Sequence, residues 1–159
     1  MRNWIILVLI YIFALLEATL LNNFKFFGIK PDLLLVIIVI LSVFWEWRWV
    51  LFFSLFAGIL KDTFCFEPFG LNTILFPLIS YLVYKVSRKI SVEDIYALMV
   101  ITFIAVFLNN IISRIIFAFS GKIIPFGIFM RVIFIESLYS AVISPLVVKV
   151  LDLLRCYSY

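Results

Sequence analysis

From Trp4 to Val150 the chain is a succession of apolar runs, and the polar breaks between them span about a dozen residues at most. Such a pattern leaves too little polar side chain to cover a water-facing surface. Of 159 residues, 67% are hydrophobic and 14% charged, where a soluble domain is nearer one half and one quarter. The pattern predicts an all-α integral membrane protein, with about six transmembrane helices in one bundle and residues 1–159 as a single polytopic membrane domain. The first run, about Trp4–Leu21, is too long for a signal peptide and lacks its small-residue cleavage site, so it reads as a span. The others run from about Pro31 to Trp45, Arg48 to Leu60, Leu71 to Tyr84, Ile95 to Phe119 and Val132 to Val150.

Only Glu46-Trp47-Arg48 separates the second run from the third. Read as one helix, Leu33 to Leu60 would extend about 40 Å, well past a ~30 Å hydrocarbon core. Two short spans with a tight turn at an interfacial tryptophan belt are therefore expected. Pro31 in the first turn, with Asp32 near the positive end of the helix dipole, starts the second run.

Within the stretch Gly58–Gly70, Lys61, Asp62 and Glu67 stand close together beside a span, and Pro68-Phe69-Gly70 supplies a rigid turn and then a flexible one. Gly58 and Asp62 are four apart, so a helix sets both on one face. A close helix approach at Gly58 would carry the carboxylate into protein and away from lipid. The plainer reading is a helix end running into a polar loop, with the third span stopping at Leu60.

Four further polar residues fall inside apolar runs. Glu17 either turns into the bundle, near the small pair Ala14 and Ala18, or reaches the headgroups marked by Asn22 and Asn23. Asn110 and Arg114 share a face, and Arg114 either snorkels or pairs with an acid of another span. Glu136 is its natural partner. Residues up to Arg131 are expected to lie along the interface before the last span begins. Lys and Arg number seven on the side of both termini and five opposite, with Lys61 among the five. Together with the basic loop Lys85–Lys89, this bias sets both termini in the cytoplasm. Glu17, Asp62, Glu67, Arg114 and Glu136 then gather in the outer half as a polar cavity or partner groove.

With no His in the chain and Cys65 and Cys156 on opposite faces, neither a disulfide nor a metal site is expected. The basic balance reads as cytoplasmic-face charge, so no nucleic-acid binding is expected. No cofactor is expected, and scattered carboxylates without a nucleophile–base pair argue against an enzyme.

Pro31-Asp32-Leu33-Leu34-Leu35, Gly58-x-x-x-Asp62, Pro68-Phe69-Gly70, Tyr81, and Ser137 to Leu146 in the last run together resemble the bacterial rod shape-determining MreD family over the whole chain. Two positions depart from the family pattern. Ser140 stands where Asn is frequent, and Glu17 where an uncharged polar residue is frequent. The resemblance implies a non-enzymatic inner-membrane scaffold of the elongation machinery, bound directly to MreC. With MreC it would link MreB filaments to the peptidoglycan synthases, RodA and its penicillin-binding transpeptidase. It also implies a fold similar to the S component of energy-coupling-factor transporters. The residues singled out for the groove are Gly58, Asp62, Pro68, Gly70, Pro31 and Asp32, with Glu17, Asn110, Arg114 and Glu136 as an intramembrane network. The alternative is an S-component-like vitamin-binding subunit using the same cavity.

Overall fold

The computed structural model describes residues 2–19, 31–64, 70–90, 92, 94–119 and 126–153. Six helices are present among them: α1 (Arg2–Thr19), α2 (Leu33–Phe44), α3 (Trp47–Phe64), α4 (Leu71–Ser87), α5 (Ile95–Phe119) and α6 (Phe126–Leu153). The expected separation of α2 from α3 holds. Trp45 adopts an extended conformation and its N–H closes on the Leu41 carbonyl at 2.9 Å, so two residues, Trp45 and Glu46, turn the chain without Gly or Pro.

Three expected boundaries are corrected. Helix α2 begins at Leu33, with Asp32 as its N-cap and Pro31 outside the first turn. Helix α3 continues past Leu60 to Phe64. Lys61 and Asp62 find partners inside the protein, and a polar residue with partners does not end a helix. Helix α6 is already helical from Phe126 rather than lying along the interface to Arg131. A nucleated helix gains one bond per added residue, and no proline intervenes before Pro145. Pro145 itself leaves the Ala141 carbonyl without its helical donor, and the Ser144 hydroxyl fills that place at 2.8 Å.

Helix α2 is the hub. It touches each of the other helices, which follow one another around it in the order α1, α3, α4, α5, α6. Residues Leu34–Ser42 are buried without a break, as a helix apolar on every side requires. The polarity of the molecule is inverted relative to a soluble protein. Glu17, Asp32, Lys61, Asp62, Asn72 and Asn109 are buried, while Ile74, Val100, Phe134, Leu138 and Leu146 face outward. Buried hydroxyls close on their own helix: Ser42 on Ile38 and Ser137 on Ile133 at 2.6 Å, Thr102 on Leu98 at 2.8 Å. Two helical segments, Ile95–Ile116 and Met130–Leu151, are long and apolar enough to cross a membrane, at about 33 Å each.

The tightest seam joins α3 to α4. A Cβ at Gly58 would meet the Asn72 carbonyl oxygen at 2.6 Å and the Thr73 Cα at 2.7 Å, so the two backbones are in contact there. One turn away, the hydroxyls of Ser54 and Ser80 lie 3.2 Å apart. Ser54, Gly58 and Asp62 form a single face at intervals of four. Gly58→Ala is expected to destabilise the bundle by about 1–3 kcal/mol, because backbone must shift to admit the methyl group. Thermal unfolding followed by size-exclusion chromatography in detergent reads this, with Ser54→Ala as the milder comparison.

Candidate functional site

Helix α2 ends at its N-terminal side inside protein, where its free N–H groups have no water. Two carboxylates meet them. Asp32 Oδ1 accepts from Leu35 N at 3.0 Å, and Glu17 Oε2, arriving from α1, accepts from Leu34 N at 3.0 Å. Both acids also sit at the positive end of the α2 dipole. Lys61, from the last turn of α3, donates to Asp32 Oδ2, and its Nζ lies 3.8 Å from Glu17 Oε1. The other side of the ammonium faces the Phe76 ring of α4, 5.2 Å from its centroid. Asp32 N–H donates to Ser140 Oγ of α6 at 3.2 Å. Side chains of α1, α2, α3, α4 and α6 thus converge on one buried ammonium.

The neighbouring residue performs the same task for α4. Gly70 is the N-cap of α4 and holds φ +99°, a left-handed conformation that favours glycine. Lacking a side chain, it cannot cap the helix itself. Asp62 supplies the missing acceptor from eight residues upstream. Its Oδ1 takes Asn72 N and Nδ2, each at 3.0 Å. Its Oδ2 takes Gly70 N and Thr73 N at 3.0 Å, and Thr73 Oγ1 at 2.6 Å. Adjacent residues on a helix point about 100° apart, so Lys61 turns toward α1 and α2 while Asp62 turns toward α4.

Of the residues singled out from sequence, Glu17 and Asp32 come together on Lys61, and Glu17 is buried rather than reaching for the headgroups. Glu136 is half-buried on α6 and interacts electrostatically with Asp32, Lys61, Glu17 and Arg114. The Arg114–Glu136 interaction is not a direct ion pair. Asp62 stands apart from that cluster, in its own clasp with Gly70 and beside Gly58. The Asn110 Nδ2 and Asn109 Oδ1 atoms are buried without hydrogen-bond partners. Tyr81 is exposed. Pro68, Glu67, Cys65 and Cys156 lie outside the described residues.

Sequence reasoning missed Lys61, which it placed among the outer loop charges. The structure corrects this: the side chain is 9% exposed and ion-paired within the bundle. Its spacing of three from Gly58, on a helix whose apolar run resumes at Phe64, was the available signal. Ser140 and the Asn72–Thr73 donors were also missed as site residues. Among the described residues, no group of three Cys, Asp or Glu side chains is arranged to hold a metal ion. The arrangement fixes helix ends, and that is its chemistry.

Charged groups gathered inside a wholly helical bundle with an apolar exterior define a membrane-associated helical protein. The model of the family described as rod shape-determining protein MreD matches residues 1–154, and the chain belongs to that family. Its role is accordingly in rod shape determination. No curated protein and no solved structure matches the chain.

Lys61→Met is expected to cost about 3–5 kcal/mol, since it strands two buried carboxylates. Adding Asp32→Asn and Glu17→Gln to Lys61→Met should recover part of that loss in the same thermal assay. Asp62→Asn replaces an accepting oxygen with a donor facing N–H groups. It is expected to raise hydrogen exchange at Asn72 and Thr73 by about fivefold or more, corresponding to about 1–3 kcal/mol of lost capping.

Proposed function

We propose that all six helices are membrane-embedded as one polytopic domain of the bacterial inner membrane, with both termini cytoplasmic. Withdrawing Lys61 from the loop charges supports this orientation, because the Lys and Arg balance then stands at seven to four. Helix α2, at 12 residues, is too short to cross by itself. It serves as a buried core around which the longer helices meet lipid.

In this reading the protein is a non-enzymatic scaffold that binds MreC directly and, with it, couples MreB filaments to RodA and the penicillin-binding transpeptidase. The observation that carries it is the double clasp on the last turn of α3. By pairing with the two acids that cap α2 and by capping α4, the adjacent Lys61 and Asp62 hold one end of four helices in fixed register. A rigid end of that kind is what a partner helix or juxtamembrane segment needs to dock without ordering its host. Gly58, Asp62 and Gly70 shape the α3–α4 connection, and Pro31 and Asp32 shape the entry to α2. Glu136 and Arg114, linked electrostatically but not closed into an ion pair, are the polar groups offered to the partner.

Asp62→Ala and Gly58→Ala, checked for monodisperse elution, are expected to lower co-purification of MreC several-fold from native membranes. Undiminished recovery with both would exclude this role. Labelling of Cys65 by an impermeant thiol reagent from outside the cell tests the orientation, and labelling only from inside would invert it.

A further inference from the structure

The opposite end of the α3–α4 pair carries charge that the scaffold reading does not use. Toward this end the hydroxyls of Ser54 and Ser80, 3.2 Å apart, set the antiparallel register of the two helices. Carried six residues further, that register brings Arg48 level with residue 86, and Arg88 lies within about 3 Å of rise from it. Arg48 stacks over the Trp47 ring at 5.6 Å, and Arg88 over the Tyr84 ring at 5.3 Å. Both arginines are exposed, and among the described residues neither pairs with a carboxylate.

The placement of Arg48 is the informative one. Arg88 caps the C-terminus of α4, where the helix dipole favours a cation. Arg48 occupies the first turn of α3, where the same dipole disfavours one. The dipole of its own helix therefore does not account for this cation, and its charge is open to an anion from outside. Each guanidinium lies near a ring and pairs with no described carboxylate, and a guanidinium's planar N–H fork matches phosphate oxygens. Lys85 and Lys89 stand beside Arg88, and the described carboxylates at this end, Glu46 and Asp94, are fewer.

We propose that Arg48 and Arg88, steadied by Trp47 and Tyr84, form a seat for the phosphate of an anionic phospholipid headgroup. Depth argues for lipid over an acidic protein. Exposed Trp47 marks the headgroup level, and the exposed side chains of Phe52, four residues along α3 from Arg48, and Tyr81, seven residues along α4 from Arg88, continue the two arginine faces along the bundle. A lipid whose headgroup fills the fork therefore finds acyl-chain contact directly below it. This site lies at the opposite end of the α3–α4 pair from Lys61 and Asp62.

Native mass spectrometry of the full chain in detergent, given equimolar phosphatidylglycerol and phosphatidylcholine, tests the proposal. Wild type is expected to retain phosphatidylglycerol about fivefold to tenfold over phosphatidylcholine, and R48Q/R88Q to bring the two near parity. W47L/Y84L keeps every charge and should lower the ratio through loss of the supporting rings. Parity in wild type, or a ratio undiminished in both double variants, would overturn the proposal. Retention of a poly-glutamate peptide at lipid parity would assign the patch to an acidic protein and overturn it equally.

Discussion

A helix that begins inside a protein must find acceptors for its first N–H groups, and the bundle is arranged around meeting that need for α2. Being buried along its length, α2 has no water at its start. Glu17 and Asp32 supply the acceptors, and their charges then require a cation in a region of low dielectric. Lys61 is that cation. Taking Lys61 away leaves both buried carboxylates without a counter-ion, so α1, α2 and α3 are fixed relative to one another by a single cluster.

The same solution appears again one residue later. Asp62 caps α4 as Glu17 and Asp32 cap α2, and Gly70, by having no side chain, leaves room for it. Consecutive residues serve two helices because the helical twist sends their side chains in different directions. Gly58 is the condition for this arrangement. Only a residue without Cβ lets the α4 backbone come near enough for the Asp62 carboxylate to reach the N–H groups of Gly70, Asn72 and Thr73. Polar groups here define register, and the surrounding apolar contacts fill space.

For a member of the MreD family, such rigidity has a natural use. In the scaffold role proposed above, fixed helix ends would hold a partner in a set position, and helix ends that wander would not. The two ends of the α3–α4 pair differ in character. One is closed by internal carboxylates, and the other presents guanidinium groups held on aromatic rings.

The six helices among the described residues, and the near position of each, were legible in the sequence, because apolar runs and their breaks are local properties of the chain. Gly58, Asp62 and Asp32 were legible as well. A small residue four positions from a carboxylate, and a Pro-Asp pair at a helix start, have few physical readings. Lys61 was not, and the sequence by itself could not have decided it. A lysine at the end of an apolar run looks like loop charge unless the acids that receive it are known, and those stand 29 and 44 positions away in the chain. Whether Glu17 faces lipid headgroups or the interior is settled by the same fact. Local pattern determined which segments are helical and which residues are costly to bury. Tertiary packing alone decided which charges meet, since the energy of a buried ion depends on neighbours the chain brings from elsewhere.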